Sequence, residues 1–415
     1  MLATSQASAF CGFYVAMADG SLYNQSSKVV FVRDGNRSTI TMSSDYRGAP
    51  SDFAMIVPTP KVLRRDQIST VDAKIVDHLD SYTAPRLVEY FDSDPCAPEI
   101  MMEAPIVVEE AAPRGNARKQ SLQSRARAKG VTIKAQYAVG QYDILILKAK
   151  ESDGLSTFLT GEGYKLPKGA ELVLADYIDA GMKFFVAKVN LSRHAKGKSQ
   201  DLPPLQIAFR SKSFMLPIQL GKLNADKAQD ALFFLLSRKG RIEVANYRAK
   251  ALPTDGNIPT FVEKVFPQFY TAMFAKTVGG GGGIVMEYAW DMAWCDPCAA
   301  DPLPNADLRA LGVQWARGNG TAQDVYVTRY HAQYSKGQMQ KDLVFRETNN
   351  RQNFQGRYVM NHPYDGKVAC QAGREYVRAT KKRLGQEAQY LSKLTGWSVG
   401  SINQNIRKTV PAAYR

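Results

Sequence analysis

Long apolar runs are missing: none of about 18 residues occurs in this 415-residue chain, which excludes a transmembrane helix. Histidine is scarce. His78, His194, His331 and His362 stand at no metal-ligand spacing from one another or from a cysteine, so no metal is expected. There is no Gly-x-Ser-x-Gly elbow, no His-Glu-x-x-His helix and no cysteine in a familiar nucleophile setting, so no catalytic residue can be named on those grounds. The five glycines Gly279 to Gly283 are followed by neither Lys-Ser/Thr nor a helix start, and read as a hinge rather than a phosphate cradle. No cofactor is expected.

What is present is an ordinary globular mixture, 45% hydrophobic and 22% charged, with 31 Gly and 20 Pro. The length allows two to four domains and a core that needs no staple to stand.

The net charge is +15, and it is uneven. Residues 1–100 sum to −3, whereas residues 301–415 carry 18 basic against 8 acidic side chains. A cationic end attracts polyanions through its summed field. Its densest cluster, Arg374, Arg378, Lys381, Lys382 and Arg383, is the candidate anion-binding set. An exported address is the wrong compartment for nucleic acid, so nucleic acid is not the expected partner.

Ala7-Ser8-Ala9 has the small-x-small form of a signal-peptide end, and residues 1–9 read as a residual leader. The cysteines, Cys11, Cys96, Cys295, Cys298 and Cys370, fit an oxidising compartment with one or two bridges. Four pairing candidates stand out. Cys295 and Cys298 are near neighbours, and a Cys11 to Cys96 bridge would tie the N-terminus to the end of the first region.

Along the chain, the expectation is a first α+β unit over 10–108, a basic linker over 109–130, a second α+β unit over 131–278 and a glycine hinge over 279–283. A strand-rich region over 284–370 and basic helices over 371–415 follow. Lys28 to Met42 reads as a hairpin around Asp34-Gly35-Asn36, and Asp72 to Tyr82 as a helix ended by Ala84-Pro85. Phe53 to Pro58 and Phe214 to Pro217 both end a strand in proline, and a helix is expected after each, over 72–82 and 226–236. Two similar units from a duplication follow from that parallel. Tyr326, Tyr330 and Tyr334 share one strand face, with Leu343 to Phe345 as the expected pairing partner.

Trp294-Cys295-Asp296-Pro297-Cys298 resembles the Trp-Cys-x-Pro-Cys centre of thioredoxin-like oxidoreductases, in which the first cysteine is a nucleophile at a helix N-terminus. Pro302 and Pro304 oppose such a helix, and Asp291, Asp296 and Asp301 oppose a thiolate. A wider resemblance rests on Cys11-Gly12, the Val-Arg-Asp-Gly turn at 32–35, Phe53-Ala-Met-Ile-Val-Pro-Thr-Pro60, Tyr142-Asp-Ile, Gly161-Glu-Gly-Tyr164 and Met182-Lys-Phe-Phe185. Together, over residues 10–265, these are similar to the bacterial secreted family known only as domain of unknown function number 2330. The resemblance implies an envelope or extracellular address and no activity.

The expectation is thus a strand-rich α+β protein with a C-terminal helical extension, exported to the periplasm or exterior. It would bind an anionic envelope component or another envelope protein without catalysis. The alternative is a thiol–disulfide oxidoreductase using Cys295 and Cys298.

Overall fold

The structure is a computed structural model that describes residues 7–8, 13–17, 23–47, 53–97, 131–190, 202–224, 228–279, 282–320, 322–335 and 337–415. In chain order the first strands are β1 (Ala7–Ser8), β2 (Phe13–Met17), β3 (Tyr23–Asp34), β4 (Arg37–Arg47), β5 (Phe53–Thr59), β6 (Ile68–Thr70), β7 (Arg86–Phe91), β8 (Val131–Val139), β9 (Tyr142–Ala149), β10 (Tyr164–Lys165) and β11 (Lys183–Val189). They continue as β12 (Leu205–Arg210), β13 (Met215–Leu216), β14 (Gln229–Ser237), β15 (Ile242–Val244), β16 (Ala249–Ala251), β17 (Gly256–Asn257), β18 (Gly283–Asp291), β19 (Tyr326–Tyr334), β20 (Leu343–Glu347), β21 (Phe354–Gln355) and β22 (Arg357–His362). The helices are α1 (Ala73–Thr83), α2 (Ser152–Gly161), α3 (Ala170–Asp179), α4 (Phe266–Val278), α5 (Asn305–Ala310), α6 (Gln371–Thr395) and α7 (Val399–Thr409). The protein is α+β and strand-rich, and ends in helices.

Two compact units are each assembled from three separated segments: 1–84, 117–251 and 281–354 form the first, and 85–116, 252–280 and 355–415 the second. The successive units expected over 10–108 and 131–278 therefore do not match these boundaries. The reason is strand pairing, since β3 lies beside β14, about two hundred residues away. The glycine run caps α4 at Gly279 (φ +77°) and opens β18, where the chain passes from the second unit to the first. The linker 109–130 and Cys11 lie outside the described residues, and Ala7–Ser8, expected within a leader, forms β1 parallel to β14.

The first unit is built on two sheets. One runs β16-β18-β19-β14-β3-β4-β12-β6, the other β10-β2-β5-β11-β9-β8. Side-chain alternation gives each sheet two faces. Met42, Ile40 and Phe233 on the first sheet meet Met55, Ile144 and Phe185 on the second in one buried cluster. Tyr326, Tyr330 and Tyr334 lie in that interior. The second sheet's other face is covered by α2 and α3 through Leu155, Phe158, Leu174 and Tyr177. The first sheet's other face is covered by α1 and by the segment 292–325, with Val76, Leu79, Tyr82, Leu303 and Leu308 against Val30, Phe234 and Val327. Asp72 caps α1 by accepting from the Lys74 amide at 3.0 Å, and Pro85 follows its end.

Two expectations are corrected here. Residues 226–236 were expected as a helix, but 229–237 form β14, whose run Ala231 to Leu236 is apolar because both faces of a central strand are buried. After Phe53–Pro58 the chain reaches α1 by way of β6, whereas after Phe214–Pro217 it enters β14. β20, expected beside the tyrosine strand, pairs instead with β13 and β15, because β18 and β14 already occupy both edges of β19.

The second unit has a parallel sheet β17-β22-β7 with α4, α6 and α7. Leu384, Ala388 and Leu391 of α6 and Ile402 and Ile406 of α7 are buried. A Cβ at Gly256 of β17 would lie 2.0 Å from the Tyr390 ring of α6, so glycine permits this approach. Gly396 (φ +80°) ends α6.

Candidate functional site

Three clusters of reactive or charged side chains invite a functional reading. The first is the loop after β18. Cys295 and Cys298 are joined in a disulfide. Tyr82 donates to the Trp294 carbonyl at 3.1 Å, and the Trp294 ring, half exposed, meets Trp290 edge-on at 4.9 Å. A nucleophilic first cysteine needs a helix N-terminus to favour its thiolate. Here the chain around Cys295 is irregular, and the next helix, α5, begins at Asn305, past Pro302 and Pro304. Cys295 is also the less accessible of the pair and packs on the α1-side core, while Cys298 is exposed. Cys295 therefore lacks the helix N-terminus that would favour its thiolate.

The second cluster lies on the α1-covered face of the large sheet. A β-bulge between Met286 and Tyr288 inserts Glu287, fully buried, on that face. Its carboxylate accepts from Arg329 Nε at 2.6 Å and faces His331 Nδ1 at 3.2 Å. His331 Nε2 meets Asp230 at 2.8 Å, and Arg329 reaches Asp80 of α1 at 2.7 Å. Lys28 closes the chain with Asp80 at 2.8 Å and Asp77 at 2.7 Å. Burial alone would drive the proton off His331, but the hydrogen bonds to Asp230 and Glu287 outweigh it and raise the imidazole to about 9. Burial also opposes ionisation of Asp80, yet Arg329 and Lys28 hold its carboxyl below the ordinary range. An imidazolium held between two carboxylates has no lone pair to act as a base near neutrality, and through Arg329 and Asp80 the cluster ties α1 to the sheet. No sequence motif announced it, because its members sit on four strands and a helix.

The third cluster is in the second unit. Cys96 is bonded to Cys370 at the N-terminus of α6, not to Cys11, because β7 runs parallel to β22 and delivers residue 96 to the start of that helix. Of the five cations proposed as an anion-binding set, Arg374, Arg378, Lys381 and Lys382 are exposed along one side of α6. Arg374 donates to the Ala369 carbonyl at 3.1 Å and Lys381 to the Arg415 carbonyl at 3.2 Å. Arg383 differs: the helical period turns it towards the core, where it donates to Asp92 at 2.7 Å and lies 3.6 Å from Glu387. Tyr376 also donates to Asp92, at 2.6 Å. Burial raises the Glu387 carboxyl to about 7, with Arg383 opposing and Asp92 adding to the rise. Arg383 is therefore a brace, and the outward set numbers four.

Among the described residues, no three His, Cys, Asp or Glu side chains come together as a metal-ligand group, and no helix is long and apolar enough to cross a membrane. The profile of the family described as an uncharacterized protein conserved in bacteria, DUF2330, matches residues 5–346. The chain belongs to that family. The match takes in the Glu287–His331 cluster and the Trp294–Cys298 loop and ends ahead of α6. No curated protein and no solved structure matches the chain. The family thus supplies a bacterial membership for the first two clusters and no reaction for either.

Proposed function

We propose that the protein is exported and serves at the bacterial envelope as a non-enzymatic binding or structural protein, attaching to an anionic component through the outer side of α6. The observation that carries this reading is the exposed row Arg374, Arg378, Lys381 and Lys382, with Arg383 withdrawn to pair with Asp92. Near an anionic surface each Lys or Arg is worth ~1 kcal/mol, and the attraction fades within a Debye length. Two disulfides support the oxidising address, since such bonds do not persist in a reducing cytosol. A thiol–disulfide activity through Cys295 has less support, given the irregular chain at that cysteine.

The test is co-sedimentation of the full chain with vesicles containing phosphatidylglycerol, at low and high salt. Replacing Arg374, Arg378, Lys381 and Lys382 by glutamine should weaken binding roughly 100- to 1,000-fold at low salt. Equal binding by the variant, or recovery of the native protein from host cytoplasm with its thiols reduced, refutes the reading. Reduction of insulin by the purified chain would favour the oxidoreductase instead.

A further inference from the structure

A cavity of about 230 Å³ opens at one end of the space between the two large sheets of the first unit. Met42, Val57, Met182, Phe209, Met215 and Pro217 line it together with Ser211 and Ser213, so its wall is mainly apolar, with methionines that adapt to the shape of a guest. At ~30 Å³ per methylene-sized group, it accommodates about eight such groups in one chain.

Lys183 has the same strand parity as Val57's cross-strand neighbours and belongs to the cavity side of β11, and its Nζ donates to the carbonyl of Gly181, between the lining residues Ala180 and Met182. Burial and the like charge of Lys148 on the adjoining strand β9 both weaken its hold on its proton. Lys148 shares its face with Ile144 and Ile146, which also point to the other sheet. Beneath the lining segment 211–213, the buried Arg33 guanidinium donates to the Ser211 carbonyl at 3.0 Å and to the Ser38 hydroxyl at 2.7 Å. Glu347, the acid that acts on Arg33, is itself paired with Lys239 at 3.6 Å. Asp179, the last residue of α3 and next to the lining residue Ala180, is an exposed acid.

An apolar slot for one chain, with the Lys183 ammonium bonded between two of its lining residues and Lys148 acting on that ammonium from the next strand, fits an amphiphile with a negative head. We infer that the cavity binds a single medium-length fatty acyl carboxylate, its tail between the sheets and its head at Lys183 and Lys148. This site is independent of the cationic side of α6, and either reading can fail without the other.

The experiment uses the full chain with 13C-methyl methionine, the Met182 and Met215 signals being assigned by leucine substitution. Titration with octanoate should shift both signals saturably, with a Kd of about 1 mM or tighter. 1-Octanol should bind at least about fivefold more weakly, because it lacks the charge-assisted contact. Lys148→Gln/Lys183→Gln should bring octanoate down to the level of octanol, and Ala180→Phe, at an exposed lining position, should abolish binding of both. No shift with octanoate at about 10 mM, ten times the expected Kd, overturns the proposal. So does equal octanoate binding by the double glutamine variant. Tighter binding of octanoyl lysophosphatidylglycerol than of octanoate overturns the carboxylate assignment.

Discussion

Raising the pH should unlock α1 from the large sheet, and His331 sets the range. Its folded-state pKa is raised from 6.5 to about 9. A group bound more tightly to its proton in the folded state contributes stability that is complete below the unfolded value of 6.5 and is lost as pH climbs through about 9. At 1.36 kcal/mol per unit, the full contribution is ~3 kcal/mol, an upper bound because 12% of the side chain is exposed. Urea midpoints followed by tryptophan emission report on this, since Trp290, Trp294 and Trp315 all lie in the first unit. Between pH 6.5 and 9.5 the midpoint should fall in the native chain, and His331→Gln should be less stable at pH 6.5 but flatter across the range. The same decline in both proteins would refute the assignment.

In the second unit, Glu387 is raised from 4.5 to about 7 and 2% exposed, so stability should drop as pH rises from 4.5 through 7. Glu387→Gln should remove that drop and stabilise the unit by about 2–3 kcal/mol at pH 8, read as a shift in the Trp397 transition. Opening Cys96–Cys370, which closes 274 residues, with Cys96→Ser/Cys370→Ser should cost about 2–5 kcal/mol. Cys295→Ser/Cys298→Ser, closing a separation of 3, should cost under about 2 kcal/mol in thermal melts.

Much of the fold was legible where local rules decide. The hairpin of β3 and β4 follows from β-branched residues flanking Asp34-Gly35, with Gly35 at φ +55° where a side chain would be strained. α1 and α6 follow from capping residues and 3.6-residue spacing. β14 was missed because a short apolar run reads alike as a buried helix or a central strand, and only its neighbours β3 and β19 settle the matter. For the candidate sites, the cations of α6 were readable as a cluster, but Arg383 needed Asp92, nearly three hundred residues earlier, to reveal its inward role. The Glu287 bulge had no signal at all in the chain, since one inserted residue is visible only against the strand it fails to match.

The order of strands in the large sheet also governs when the molecule can mature. β14 takes its place between β3 and β19, so residues near 30, 233 and 330 must all be available before the middle of the sheet is closed. Loop closure over such spans is slow, and a half-made sheet exposes pairing edges. A nascent chain is therefore kept from completing the middle of this sheet until β19 has been synthesised, and a holdase that shields β3 and β14 in that interval should raise the yield of folded protein.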